Sequence, residues 1–153
     1  MKEVAMFDQK KVRGLLDSLD FFEEFTVEEK NKFLALRHHF VAYEAGELLI
    51  EEGTCDAAFF VLLWGSVNVT TGGSPGRTLA KLDPGEFFGE ISFLTSRPRT
   101  TNVVATGKVL AMKIDQPLLK EVGVETREKI KDKIIRKLVQ RLDSMNKALA
   151  AIP

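Results

Sequence analysis

Between Gly85 and Ala105 the chain reads Gly-Glu-Phe-Phe-Gly-Glu-Ile-Ser-Phe-Leu-Thr-Ser-Arg-Pro-Arg-Thr-Thr-Asn-Val-Val-Ala, and the residue types suited to chemistry gather there. Gly89 has no Cβ, so a ligand can approach its backbone closely. The apolar run after it is short, and the amides of Ile91 and Ser92 open a helical turn. They have no intrahelical partner and aim their dipoles at an anion. Arg99 can add a bidentate, charge-assisted pair to a phosphate, worth about 1.5–3 kcal/mol net. The same phosphate would repel Glu90, whose carboxylate therefore needs neutral donors. A ribose hydroxyl meets that need.

A blander arrangement uses the same residues. Gly85 can simply turn the chain after Asp83-Pro84, and Glu90 and Arg99 can pair with each other across a loop. Such exposed pairs are usually inert.

The run Phe88-Gly89-Glu90-Ile91-Ser92-Phe93-Leu94, followed by Pro98-Arg99-Thr100-Thr101, resembles the cyclic nucleotide-binding domain family. This is the module of bacterial catabolite activators, protein kinase regulatory subunits and cyclic-nucleotide-gated channels. Several positions must agree at fixed offsets, so the match is specific. The resemblance implies that Glu90 contacts the ribose 2′-hydroxyl, while Arg99 and the Ile91 and Ser92 amides hold the cyclic phosphate. Thr100 would then lie beside the phosphate and the base edge. The pattern departs from the family at Thr101 and Asn102, where Ala and then Thr or Ser are more usual, and these positions bear on base preference. Matching Gln140-Arg141-Leu142 to the catabolite activators brings Met145 and Asn146 to the base. The implied ligand is cyclic AMP, with cyclic GMP also accepted, and no further cofactor is expected.

These residues need a rigid frame. From Phe40 to Ile114 short strands alternate with turns: Phe40–Tyr43, Glu47–Ile50, Ala58–Leu63, Val67–Thr71, Arg77–Leu82, Glu86–Phe88, Asn102–Ala105 and Val109–Ile114. Ala45-Gly46, Glu52-Gly53, Gly72-Gly73-Ser74-Pro75-Gly76, Asp83-Pro84-Gly85 and Thr106-Gly107 separate them. The pattern predicts a mainly β fold, an eight-stranded jelly-roll barrel with flanking helices. The irregular insertion between the sixth and seventh strands carries the candidate site, as binding residues favour loops on a scaffold. Trp64, before Gly65, reads as core filler in preference to a cover for the ligand cavity.

The organisation expected is an N-terminal helical segment over residues 1–39, a barrel over 40–114 with its phosphate cassette at 88–101, and C-terminal helices over 115–153. In the first segment Val12, Leu15, Leu16 and Leu19 form an apolar stripe, and Phe21, Phe22 and Phe25 form a compact cluster that packs on the sheet. Thr26-Val27-Glu28-Glu29 is a capping-box signature. His38 and His39 are the only histidines in the chain. As strand neighbours they would point to opposite faces, which argues against a metal site and a cupin-type enzyme.

A short helix over 115–122 is expected to lead into a long one over 125–152. In the long helix Ile135, Leu138, Leu142, Met145, Leu149 and Ile152 recur three and four apart, the spacing of an interhelical seam. Ile130, Ile134 and Val139 form a second stripe for the barrel. Lys129, Lys131, Lys133, Arg136, Lys137 and Arg141 read as a solvated face. A homodimer through this helix follows, with its position as a signal to an unidentified downstream protein.

With 153 residues, 22 basic and 22 acidic side chains and formal net charge zero, the chain lacks a nucleic-acid footprint. Cys55 is the single cysteine, consistent with a reducing, cytoplasmic setting. Met1–Lys11 shows no signal peptide, no run suits a membrane span, and Asn68-Val69-Thr70 reads as part of a strand rather than a glycosylation site. With no DNA-binding, kinase or pore segment visible, the expectation is a stand-alone, non-enzymatic sensor. The rival reading is a degenerate barrel, a dimerisation or scaffold module without ligand.

Overall fold

The computed structural model describes residues 2–3, 8–72 and 76–153. Two antiparallel sheets face each other, and helices cover the outer side of one of them. The first sheet has the order β1 (Lys2–Glu3), β2 (Phe40–Tyr43), β9 (Val109–Asp115), β4 (Ala58–Trp64), β7 (Phe87–Phe88). The second has β3 (Leu48–Ile50), β8 (Asn102–Ala105), β5 (Val67–Thr71), β6 (Arg77–Leu82). All eight expected strands are present, with ends shifted by no more than one residue. Strand β1, which pairs with β2, was not expected, because two residues carry no alternation to read. Gly73, Ser74 and Pro75 of the expected β5–β6 turn, and Met1 and Val4–Phe7 of the N-terminal segment, lie outside the described residues.

Strand β4 explains the layering. Its run Ala58–Leu63 is buried throughout because both of its faces are covered. Phe59, Val61 and Leu63 point into a core shared with the helices, together with Met112 and Ile114 of β9. Phe60 and Leu62 point between the sheets, against Val67, Val103 and Ala105 of the second sheet. Trp64 is 61% exposed, so it is not core filler. The pairing of β4 with β9 shifts register between Leu62 and Trp64. That irregularity, directly before the left-handed Gly65 (φ 82°), turns the indole outward.

The helices follow from their caps and stripes. Helix α1 (Gln9–Ser18) is capped by Asp8, whose carboxylate accepts from the Lys10 and Lys11 amides. Helix α2 (Val27–Ala35) carries the expected capping box, Glu29 N–H to Thr26 Oγ1 at 3.2 Å and Thr26 N–H to Glu29 Oε1 at 2.9 Å. Between them Phe21, Phe22 and Phe25 are buried with Phe33, their rings 4.9–6.0 Å apart. His38 and His39 lie in a 3₁₀ turn, not on a strand, with rings 4.2 Å apart. The expected opposite-face argument therefore does not apply. His39 is buried with Nδ1 3.0 Å from the Lys113 carbonyl. No cluster of three or more potential metal ligands occurs among the described residues.

After the short α4 (Gln116–Glu121), α5 runs from Val124 to Ala150. Ile130 and Ile134 are buried in the helical core. Val139, expected beside them, is 49% exposed, and Leu138 packs there instead. A helix returns to the same face after four residues, so the stripe continues from 134 to 138.

Glu29 ties α2 to α5. Besides its capping bond, it accepts from the buried Thr126 hydroxyl and from Lys129 Nζ at 2.5 Å. Burial would raise its carboxyl, but these bonds and the Lys129 charge outweigh burial and lower it from 4.5 to about 2. Because the folded value is depressed, the stabilisation is present above pH ~4.5 and lost as pH falls toward about 2. Its full size is on the order of 3 kcal/mol. We expect urea denaturation to show this loss between neutral and acid pH, and Glu29→Gln to lower stability at pH 7 while flattening that acid limb. An unchanged acid limb in Glu29→Gln would show that other carboxylates carry it.

Candidate functional site

The chain leaves β7 at Phe88, turns at Gly89 and enters the short α3 (Glu90–Thr95). Gly89 adopts φ 87°, and a Cβ there would stand 2.8 Å from Ile50 Cδ1 and 2.9 Å from Arg99 Nη1. Only glycine satisfies both the left-handed conformation and the closeness. The first intrahelical bond of α3 runs from Phe93 N–H to Gly89 O at 3.3 Å. The amides of Ile91 and Ser92 thus have no partner within the helix.

Arg99 returns to this turn from the strand side. Its amide donates to Thr54 O and its carbonyl accepts from Gly53 N–H, both at 2.8 Å. Nη1 donates to Gly89 O at 2.7 Å and Nη2 to Ala58 O. The residue is only 4% exposed, and its Nε has no hydrogen-bond partner among the described residues. Burial lowers the pKa of the guanidinium, opposed by Asp56 and Glu90. A guanidinium keeps its charge at neutral pH regardless. A buried cation with an unused donor is poised for an anion.

Glu90 is 3% exposed, and its carboxylate forms an ion pair with Lys137 of α5, Oε1 to Nζ 3.0 Å. The expected alternative, an inert pair between Glu90 and Arg99, does not form: Arg99 spends its two terminal nitrogens on backbone carbonyls.

Phe88, Gly89, Glu90, Ile91, Ser92, Arg99, Thr100 and Thr101 all line one cavity of about 390 Å³. Phe88 stacks on Phe60 at 5.6 Å and roots the turn in the inter-sheet core. Ser92 is buried, Thr101 half-buried, and Thr100 exposed at the rim. Ile50, Val69, Leu79 and Val103 supply apolar walls. A few convergent polar groups on an apolar wall are the usual composition of a small-molecule site.

Met145 and Asn146 are not brought to this cavity. Both are exposed, and α5 instead contributes Lys137 and Arg141 to the lining. Those two cations, expected on a solvated face, are functional candidates that the charge pattern concealed. The signal available was the i, i+4, i+8 placement of Lys133, Lys137 and Arg141 on one face. Lys133 packs over the Phe21 ring at 5.3 Å, and Arg136 makes a bidentate pair with Glu24 at 2.9 and 3.0 Å. A larger open groove of about 500 Å³ lies alongside, with Lys137 as a shared wall. Its other cations, Lys133 and Arg136, are engaged in those contacts.

The model of the family "Cyclic nucleotide-binding domain" matches residues 40–123. The chain belongs to the cyclic nucleotide-binding domain family. A cAMP-dependent protein kinase regulatory subunit of Dictyostelium discoideum is 31% identical over 81 residues, which are 50% of this chain and 25% of that protein. The match therefore spans about a quarter of the curated relative's length. Among solved structures, the catabolite activator protein of Thermus thermophilus superposes with a TM-score of 0.69 at 24% identity, over 85% of this chain and 61% of that one. The N-terminal domain of a transcriptional regulator from Streptomyces coelicolor A3(2) superposes with a TM-score of 0.63 at 26% identity, over 86% and 94%. These likenesses agree with the jelly-roll arrangement of the two sheets.

Proposed function

We propose that this chain is a cyclic nucleotide sensor whose native ligand is cyclic AMP, and that it is a binding module rather than an enzyme. The observation that carries this reading is the pairing of opposite demands in one cavity: a buried Arg99 with an unused Nε, and a buried Glu90 that an anion would repel. In this reading Arg99 with the Ile91 and Ser92 amides holds the cyclic phosphate, and Glu90 accepts from the ribose 2′-hydroxyl. Gly89 gives the phosphate room, while Phe88 and Thr101 complete the wall. The setting is cytoplasmic. Among the described residues no helix is long and apolar enough to cross a membrane.

Helix α5 is the output. From Val139 to Pro153 every residue is exposed, so this half moves without breaking a core. Bringing Met145 and Asn146 to the base requires α5 to shift toward the cavity when ligand binds. The ligand drives that shift by its difference in affinity for the two helix positions. The exposed seam of α5 then meets a second copy, and the helix position is read by a downstream protein.

The deciding experiment is calorimetry of nucleotide-stripped protein with cyclic AMP, cyclic GMP and linear AMP. We expect both cyclic nucleotides to bind and linear AMP not to. Absence of binding by all three would favour the ligand-free scaffold.

Base selection has its own test. The 2-amino group of a syn guanine turns toward the phosphate side, where the Thr100 hydroxyl accepts from it. Adenine has no such group, and Asn146 would donate and accept at its edge, with Met145 as apolar cover. Thr100→Ala should weaken cyclic GMP more than cyclic AMP, and Asn146→Ala the reverse. Each effect should be several-fold, since one net hydrogen bond is worth about 0.5–1.5 kcal/mol. Equal penalties on both ligands would refute this account of the base.

A further inference from the structure

We infer that Lys137 is a positioning residue for the hydroxyl-reading carboxylate, and that it ties ribose recognition to the docking of α5. The inference rests on the cyclic nucleotide reading above. Its starting point is a buried carboxylate. Glu90 is 3% exposed, and Lys137 Nζ is its ion-pair partner at 3.0 Å. Arg99 influences Glu90 electrostatically, but its terminal nitrogens are committed to Gly89 O and Ala58 O.

Lys137 is itself held at several points. Nζ also donates to the Phe87 carbonyl and lies 4.4 Å from the centre of the Phe87 ring. Phe87 immediately precedes the cassette and pairs with Val61 of β4. The ammonium is therefore fixed relative to the sheet as well as to Glu90. A freely rotating lysine on a solvated face would have neither constraint.

The consequence for chemistry is specific. Lys137 pairs with Oε1 of Glu90, and in this inference Oε2 is the oxygen that accepts from the ligand. A carboxylate with one oxygen pinned is held in a fixed orientation at the wall of the cavity that both residues line. The ammonium also compensates the negative charge that would otherwise oppose a phosphate in the same cavity. The carboxylate can then accept from a neutral hydroxyl in a cavity that also takes an anion.

The same ammonium belongs to α5, so the pair is also a mechanical link. Up to Leu138 the helix is anchored on the core, and beyond it is exposed. Lys137 sits at that boundary. A ligand that stabilises the Glu90 geometry stabilises the docked helix by the same amount, because the linkage is reciprocal.

The test compares cyclic AMP with its 2′-deoxy analogue by calorimetry, in the full chain and in Lys137→Met and Lys137→Arg. A hydrogen bond to a charged acceptor predicts that the parent prefers the 2′-hydroxyl by about tenfold or more. In Lys137→Met that preference should shrink to below about threefold, and Lys137→Arg should restore most of it. Thermal melts confirm that each variant is folded. If Lys137→Met weakens both ligands by the same factor and keeps the preference, Lys137 only anchors the helix and the inference fails. A rise in affinity for both ligands would make Lys137 a competitor, which also overturns it. A parent that binds neither ligand removes the underlying reading, an outcome distinct from a parent that discriminates while Lys137→Met does so equally.

Discussion

Arg99→Ala is expected to lower cyclic nucleotide affinity by about 30-fold to several thousandfold, corresponding to about 2–5 kcal/mol for losing one partner of a desolvated charge pair. The residue is 4% exposed and its guanidinium is already oriented by Gly89 O and Ala58 O, so the ligand needs little reorganisation to use it. Lys81→Ala is the control: Lys81 is exposed on β6, outside the cavity lining, and its removal should leave affinity unchanged. Arg99→Lys should fall between the two, since a lysine keeps the charge but not the planar fork that reaches two carbonyls and still leaves Nε free. Calorimetry on folded protein decides. Unchanged affinity in a folded Arg99→Ala variant would remove Arg99 from the phosphate site.

Leu142→Glu is expected to convert a homodimer into a monomer. Ile135, Leu142, Met145 and Leu149 are 56–63% exposed along one side of α5, a seam of roughly 21 Å at 1.5 Å per residue, and Ile152, expected in the same helix, lies just past its end and is 66% exposed. Leu138, expected in that seam, is partly buried in the core of its own chain, so four side chains on each helix, with Ile152 just beyond it, remain for the contact. Each contributes about 1.5–3 kcal/mol if buried. Association costs about 4–15 kcal/mol, so burying the stripes of two helices is of the size the proposed dimer needs. Glutamate at 142 removes two apolar contacts from the symmetric pair and brings two carboxylates together. Losing those contacts alone is worth about 3–6 kcal/mol, at least a hundredfold in dimer affinity. Light scattering checks it, and a parent that is already monomeric would end the proposal.

The strands, the capping box of α2 and the candidate cassette were legible from the residues themselves, because each depends on near neighbours. Ala58–Leu63 is apolar at every position and reads as a buried strand. Thr26 and Glu29 cap their own helix, and Gly89, Glu90 and Arg99 keep a family spacing. A two-residue strand such as Lys2–Glu3 is below what periodicity can register.

What surrounds the cassette was decided by tertiary structure. Trp64 turned out because a register shift between β4 and β9 interrupts the alternation that would have buried it. Glu29 does more than cap, since Thr126 and Lys129, 97 and 100 residues away, complete its bonding. The last helix shows the division most clearly. Its composition specified a long helix with an apolar stripe and many cations, and every one of those cations reads alike in sequence. Among the described cations of α5, Lys137 is the one paired with Glu90, because Ile130, Ile134 and Leu138 seat α5 on the phenylalanine cluster at one height and rotation. That seating also carries Arg141 to the cavity and leaves Met145 and Asn146 beyond it. Local sequence sets the helical period; the packing of distant apolar side chains sets where that period falls against the sheet.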